Sequence, residues 1–316
     1  MLVKSRTLVI GGAGFIGSHL VCRLLATGIR EVTVVGRSRS PKFTLPKGVR
    51  YIAGDAGNSV FLEDLLADSD EVIDLAYATV PKTSFDDPVH DVLANLPATV
   101  SLLKQASKHS LRRIILVSSG GTVYGSAAYL PIDESHPTNP VSPYGITKLA
   151  AEKYALLFHR LEGLPVVIAR PGNPYGPNQM GNIGQGFIGT AMLAVLKRQK
   201  ITLFGNRGTI RDYIYIDDLT DGLIAALDYG TPGEVYNIGT GVGTDNRAIL
   251  DLLGDLAYPA GYTMECTVEP ARSFDVSSNV LSSARLTYVS GWRPHTSLNA
   301  GLATTWDWAL ENGAQA

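Results

Sequence analysis

The stretch Thr7-Leu8-Val9-Ile10-Gly11-Gly12-Ala13-Gly14-Phe15-Ile16-Gly17 decides how the rest of this chain is read. A β-branched run ends at Ile10, and Gly11, Gly14 and Gly17 follow at three-residue spacing. From residue 15 to 27 apolar residues recur at helical spacing: Phe15, Ile16, Leu20, Leu24 and Leu25. Strand, glycine turn and helix in direct succession make a phosphate cradle. The first glycine permits the sharp turn, the second lets the backbone approach a pyrophosphate, and the third lets helix and strand pack closely. The helix start, at Phe15 and Ile16, offers unpaired N–H groups and the positive end of a dipole. A glycine-rich turn that binds nothing is the alternative reading, and the strand-turn-helix context weighs against it.

Outward from that unit the alternation continues. Strand-like runs lie at 32–35, 49–52, 71–75, 113–118 and 165–169, with helical patterns at 59–67, 91–108 and 142–161. Alternating elements of this size predict an α/β fold, a doubly wound parallel sheet of the Rossmann type with helices on both faces. Beyond residue 170 the rhythm breaks at Pro171, Pro174 and Pro177, set among Gly172, Gly176, Gly181, Gly184 and Gly186. The expected organisation is a dinucleotide-binding domain over 1–170 and a smaller substrate-binding lobe drawn mainly from 171–316, with some elements returning to the first domain.

The end of the second strand selects the cofactor. It reads Val35-Gly36-Arg37-Ser38-Arg39, without the carboxylate that would accept hydrogen bonds from a ribose 2′-hydroxyl. Arg37, Ser38 and Arg39 suit a 2′-phosphate instead, so NADP is favoured over NAD. Asp55 and Ala56, after the strand at 49–52, are placed beside the adenine.

Ser142-Pro143-Tyr144-Gly145-Ile146-Thr147-Lys148 reads as a helix start, with Ser142 as N-cap and Pro143 in the first helical position. Tyr144 and Lys148, four apart, share one face. A phenol is a poor base at neutral pH, but a nearby ammonium and an oxidised nicotinamide both favour phenolate, so the pair points to proton exchange with a substrate hydroxyl during hydride transfer. An i, i+4 pair on a solvated surface is the bland alternative. Against it, this helix follows the fifth strand, which runs into Ser118-Ser119-Gly120-Gly121-Thr122, and those hydroxyls are expected at the carboxyl edge where ligands bind.

Composition excludes other classes. The 316 residues carry 27 Lys plus Arg and 29 Asp plus Glu, a net charge of −2, and 45% of them are hydrophobic. No basic stripe for nucleic acid or an anionic membrane is present. Cys22 and Cys266 alone supply neither a disulfide framework nor a zinc cluster, so no metal site is expected and the cytoplasm is the expected compartment. No apolar run approaches a membrane span, and the glycines within 1–21 argue against a signal peptide.

Taken together, the glycine turn, the Tyr-x-x-x-Lys pair, SSGGTVYG at 118–125, Asn95, RPGNPYGP at 170–177, and Arg211-Asp212-Tyr213 followed by Asp217-Asp218 resemble the extended short-chain dehydrogenase/reductases. Within them the chain is most similar to the nucleotide-sugar 4-epimerases. The resemblance implies Tyr144 as acid/base and Lys148 as the residue that lowers its pKa and holds the nicotinamide ribose. It places Leu75, Ala76, Ala78, Thr79, Asn95 and Ser118 along the cofactor groove, Gly172 by the nicotinamide and Asn173 by the sugar diphosphate. Arg211 is assigned to the nucleotide phosphates, Arg272 and Asp275 to phosphate and ribose, and Thr202, Leu203 and Phe204 to the base. A homodimer through helices 91–108 and 142–161 is also implied.

Three departures qualify the likeness. The family's catalytic serine or threonine position is Gly120 here, leaving Thr122, Ser119 or water to bond the reacting hydroxyl. Gly121 and Thr122 stand where dehydratases carry an Asp-Glu pair, and the acid after the second strand is missing. The leading expectation is an NAD(P)-dependent epimerase acting at C4 of a UDP-linked hexose through a 4-keto intermediate. An NADPH-dependent 4-keto nucleotide-sugar reductase and a non-catalytic cofactor sensor are the alternatives.

Overall fold

The computed structural model describes residues 4–179, 186–272 and 275–313; Gly181 and Gly184 of the glycine-rich segment lie outside them. The first half runs β1 (Ser5–Ile10), α1 (Phe15–Ala26), β2 (Arg30–Gly36), β3 (Arg50–Ala53), α2 (Ser59–Ala67) and β4 (Glu71–Asp74). It continues with α3 (Pro81–Asp86), α4 (Pro88–Ala106), β5 (Arg113–Val117), α5 (Pro143–Glu162) and β6 (Val166–Pro171). These bounds follow the sequence periodicity within a few residues. The exception is α3, a helix of 6 residues too short to show a period.

The second half comprises β7 (Asn173–Tyr175), α6 (Phe187–Leu196), β8 (Ile201–Phe204), β9 (Ile210–Tyr215), α7 (Ile216–Tyr229) and β10 (Val235–Ile238). After these come β11 (Gly243–Asp245), α8 (Asn246–Ala257), β12 (Cys266–Glu269), β13 (Ser278–Asn279), α9 (Ala284–Ser290) and α10 (Leu298–Asn312).

Seven strands form one parallel sheet in the order β10-β6-β5-β4-β1-β2-β3. The order reverses direction between β1 and β4. That reversal opens a crevice at the carboxyl ends of the two strands, which is where open α/β sheets bind ligands. β10, from the second half of the chain, pairs with β6 in register Val235 to Ile168 and completes the sheet. The remaining strands build a smaller layer: β9 pairs with β7, β11 and β13, while β8 and β12 form a two-stranded sheet.

Alternation along the strands explains the two-sided core. Val9, Val34, Ile73, Ile115 and Val167 face α1 and α7, where Leu20, Leu24, Leu219 and Leu223 are buried. Leu8, Ile10, Val72, Ile114, Leu116 and Ile168 face α2, α4 and α5 through Leu62, Leu66, Leu102, Leu103, Ala151 and Ala155. Burial on both faces is why these strands read as unbroken apolar runs.

Candidate active site

The glycine turn has the geometry of a phosphate cradle. Gly11 adopts φ +78°, and a Cβ there would stand 3.0 Å from the Ala76 amide nitrogen. At Gly17 a Cβ would fall 2.5 Å from Gly12 Cα and 2.6 Å from the Gly11 carbonyl oxygen, so backbone alone fits between α1 and the turn. Gly14 caps α1 in an exposed position with no side-chain cap, and the first turn carries no acidic residue, which leaves its donors available to an anion. Phe15 and Ile16 pack partly buried against the core and fix the helix angle.

Beyond β2, Arg37, Ser38 and Arg39 are exposed, and the Ser38 carbonyl accepts a 2.7 Å hydrogen bond from Tyr51 OH. Asp55 is exposed and accepts from the Gly57 amide at 2.9 Å, while Ala56 packs against the core beside it. The segment after β4 extends the sheet edge, with the Leu75 amide donating to the Ile10 carbonyl at 2.9 Å and the Ala76 amide to Asp74 Oδ1 at 3.0 Å.

Asn95 and Thr79 support this segment from behind. Asn95 Oδ1 accepts from the Ala78 amide at 2.7 Å and its Nδ2 donates to Thr79 Oγ1 at 3.0 Å. Thr79 Oγ1 donates in turn to Asp91, whose other oxygen accepts from Thr147 Oγ1 at 2.6 Å. Asp91 is fully buried and joins α4, the groove-lining segment and α5 in one network. The side-chain oxygens of Thr79 and Asn95 are thus engaged with protein and brace the segment after β4.

The Tyr144 helix starts as its sequence dictates. Ser142 Oγ accepts from the Gly145 amide at 3.1 Å, Pro143 occupies the first helical position, and the Tyr144 amide donates to Ser84 Oγ of α3 at 3.1 Å. Lys148 is buried and its Nζ donates to the Val117 carbonyl at 2.9 Å. Its ammonium also lies 3.9 Å from the centre of the Tyr77 ring, which meets Tyr144 edge-on at 4.8 Å. Burial pushes Lys148 down to about 8, opposed by Asp74, Glu152 and Asp91. Burial, and then Asp91, push the Tyr144 phenol above its ordinary value. Among the protein's own groups the phenol is therefore held protonated. The ammonium itself is directed at the Val117 carbonyl and the Tyr77 ring.

Of the hydroxyls after β5, Ser118 is used structurally. Its Oγ donates to Glu152 at 2.5 Å, and Glu152 is held bidentately by Arg170 at 2.9 and 2.5 Å, so the Ser118 hydroxyl is engaged with protein while the residue lines the pocket beside Lys148. Ser119 is half-buried, and its carbonyl accepts from the Thr122 and Val123 amides, closing a tight turn. A Cβ on Gly120 would lie 2.5 Å from Leu281 Cδ1 and 3.0 Å from the carbonyl oxygens of both Arg170 and Pro171. Close packing explains glycine at this position. Thr122 Oγ1 and Asn173 Oδ1 are buried with no hydrogen-bond partner among the described residues. Asn173 Oδ1 lies 3.5 Å, and Ser119 Oγ 3.9 Å, from where a Cβ of Gly121 would sit, so these two groups flank Gly121. Gly172 is fixed by its amide on the Ile238 carbonyl at 2.9 Å.

A second cluster comes from the smaller layer. Arg272 pairs with Asp275 at 2.8 Å and lies 4.2 Å from the centre of the Phe204 ring. Arg211 donates to the Ile210 carbonyl at 2.8 Å, and burial lowers its pKa. Pairing with Asp212 or Asp217 is not what holds Arg211: Asp212 accepts from Thr240, Gly241 and Leu281, and Asp217 faces His19. On β8, Thr202 is exposed and Leu203 is 1% exposed. The Leu203 side chain belongs to the core, which leaves only its backbone for a ligand.

Fold and crevice together define a dinucleotide-binding α/β enzyme. The sequence profile of the NAD dependent epimerase/dehydratase family matches residues 7–239, and the chain belongs to that family. It is 34% identical over 311 residues to the UDP-glucose 4-epimerase of Mycolicibacterium smegmatis, covering 95% of this chain and 97% of that one. The dTDP-glucose 4,6-dehydratase of Streptomyces antibioticus is 31% identical over 322 residues, covering 97% and 93%. The crystal structure of the Thermus thermophilus UDP-glucose 4-epimerase in complex with NAD superposes with a TM-score of 0.87 at 33% identity, covering 96% and 98%. The chain is thus a nicotinamide-cofactor enzyme of the nucleotide-sugar epimerase type.

Asp74, Tyr77, Asp91 and Thr147 are site residues that the sequence reading missed. The run Asp74-Leu75-Ala76-Tyr77 at the end of a strand-like segment was the available signal for the first two.

Proposed function

We propose that this chain interconverts C4 epimers of a UDP-linked hexose, with Tyr144 as acid/base. The observation that carries the reading is a phenol and an ammonium one helical turn apart, at the carboxyl edge of a glycine-turn sheet, in a chain that matches UDP-glucose 4-epimerases end to end. The turn at Gly11, Gly14 and Gly17 suits a pyrophosphate: Gly11 takes φ +78°, and a Cβ at Gly17 would strike the backbone of Gly11 and Gly12, so glycine keeps the turn tight below the start of α1. Bound there, the nicotinamide supplies a hydride acceptor and donor.

Everything else falls to the protein's own groups. Tyr144 accepts the proton of the C4 hydroxyl and returns it. Its phenol is raised by burial, so the transfer requires positive charge nearby, a role we assign to the oxidised nicotinamide together with Lys148, whose ammonium lies 5.9 Å from the ring centre. Thr122 Oγ1 and Asn173 Oδ1, buried and unpaired among the described residues, are the polar atoms we assign to the sugar and its diphosphate, with Ser119 beside Asn173. Arg211 and Arg272 answer the phosphates, Asp275 the ribose, and the Phe204 ring with the Thr202 and Leu203 backbone the base. Leu75, Ala76, Ala78 and Gly172 line the cofactor path, with Asp55 and Ala56 at its adenine end. Gly121 and Thr122 supply no carboxyl for dehydration.

The cofactor preference we infer is NADP over NAD, on the exposed Arg37, Ser38 and Arg39 and the absence of a carboxylate after β2 in the sequence. The same feature favours a second reading, NADPH-dependent reduction of a 4-keto nucleotide sugar. A homodimer through α4 and α5 is part of the proposal. Val89, Val92 and Leu93 on one helix and Ile146, Tyr154, Leu157 and Leu161 on the other are exposed apolar side chains on adjacent surfaces. The two cysteines are free thiols, in keeping with the cytoplasm.

The deciding experiment supplies UDP-glucose or UDP-galactose to purified protein with no added cofactor. Interconversion without net change in absorbance of the reduced nicotinamide supports the epimerase. Turnover only of a keto sugar, with stoichiometric NADPH consumption, overturns it in favour of the reductase.

A further inference from the structure

Three carboxylates act electrostatically on Lys148, and two of them are already engaged. Glu152, one turn along α5, is held bidentately by Arg170 of β6 and also accepts from Ser118. Asp91 of α4 accepts from the hydroxyls of Thr79 and Thr147, one on each oxygen. Asp74, the last residue of β4, is 6% exposed, and its one hydrogen bond among the described residues comes from the Ala76 amide at 3.0 Å. It lines the same small pocket as Lys148, together with Tyr77, Val117 and Ser118.

Register fixes that proximity. Asp74 stands opposite Leu116 on β5, and the next residue, Val117, provides the carbonyl that binds Nζ. The ammonium therefore has the Val117 carbonyl on one side, the Tyr77 ring on another, and Asp74 as the one carboxylate of the three whose side chain holds no other side chain among the described residues.

We infer that Asp74 is a positioning residue for the reaction: as the counter-charge of Lys148 at the floor of the site, it keeps the ammonium charged and held at the Val117 carbonyl, beside the Tyr77 ring that meets Tyr144. The inference rests on the roles proposed above for Tyr144 and Lys148. Burial alone drives the two groups toward neutrality, Asp74 up to about 6 and Lys148 down to about 8, and each opposes that drift in the other. The other charged or titratable groups facing Lys148 are Asp91 from α4, Glu152 with its Arg170 partner, Tyr144 on α5 and Tyr77 from the segment after β4.

The test reads the lysine directly. Full-length protein labelled with 13Cε-lysine is titrated by NMR, with Lys148 assigned by its loss in Lys148→Met, and the pH profile of UDP-hexose epimerisation is recorded in parallel. In the wild type, the Lys148 resonance is expected to show a smaller inflection near the Asp74 transition in addition to its own. Asp74→Asn removes the smaller inflection, and it moves both the Lys148 transition and the alkaline limb of activity down by about 1 pH unit. Asp74→Glu restores both. A single wild-type inflection, or an Asp74→Asn enzyme slowed equally at every pH with the Lys148 transition unmoved, overturns the inference. If the wild type epimerises nothing, the proposed function fails, whereas the NMR titration still decides the role of Asp74.

Discussion

The ammonium of Lys148 lies 5.9 Å from the centre of the Tyr144 ring while it donates to the Val117 carbonyl at 2.9 Å. The two residues share a helix face, yet the ammonium is directed at the Val117 carbonyl, and burial and Asp91 set the phenol above its ordinary value. An acid/base pair built this way needs a second positive charge to bring the phenol down, and an oxidised nicotinamide carries one.

Tyr144→Phe separates chemistry from binding. Removing the phenol oxygen deletes the proton acceptor and leaves the ring that packs against Tyr77, so the fold and the cofactor cradle persist. Turnover is expected to fall about 100-fold or more, the usual scale for loss of a positioned acid/base. Cofactor content, read by absorbance and mass spectrometry of the denatured protein, is expected to stay at the wild-type level. Wild-type turnover in this variant would remove Tyr144 from the mechanism.

Burial of Lys148 also sets a pH dependence of stability. Its folded pKa of about 8 lies below the ordinary lysine value of 10.5, so between these limits the unfolded chain binds more protons than the folded one. The sign follows: the contribution of this group to stability is fully present above the unfolded pKa and is lost as pH falls through about 8. Denaturant titrations of wild type and Lys148→Met across this window are expected to show the wild type gaining on the variant as pH rises. A constant difference between them would mean that Lys148 titrates normally.

Gly120 gives a steric prediction. The carbonyl oxygens of Arg170 and Pro171 are backbone atoms at 3.0 Å from a would-be Cβ and cannot rotate away, even if Leu281 does. Gly120→Ser is expected to destabilise the fold by about 1–3 kcal/mol, the range for overpacking a filled site. Thermal melting should drop accordingly, with no gain in turnover, because the new hydroxyl would displace the turn that carries Thr122. A stable and faster Gly120→Ser enzyme would show that the space exists.

These cases show which parts of the site the sequence made legible. The sheet, the glycine turn and the Tyr144/Lys148 spacing are local patterns, written in residues within one or two elements of each other. The counter-charges are not. Asp74 reaches Lys148 only because β4 and β5 pair in one register, and Asp91 meets Thr147 only because α4 packs on α5. That Glu152 and Arg170 come together beneath Ser118 and take its hydroxyl, and that the packing of β8 turns the Leu203 side chain inward, is equally out of reach of the local pattern. Such assignments depend on long-range partners, whose identity no spacing rule carries.

The NADP preference proposed above rests on the two arginines after β2. Both are exposed, and they flank a serine whose carbonyl is anchored by Tyr51. A 2′-phosphate held there gains charge-assisted hydrogen bonds that a 2′-hydroxyl does not. NADP(H) is therefore expected to bind the protein more tightly than NAD(H) in fluorescence titrations. Replacing Arg37 and Arg39 by alanine should cost NADP(H) about tenfold or more while leaving NAD(H) nearly unchanged, since about 1.4 kcal/mol of lost phosphate contact is already a factor of ten. Tighter binding of NAD(H) to the wild type, in line with the Thermus thermophilus relative crystallised with NAD, would assign both arginines to the solvated surface of the loop.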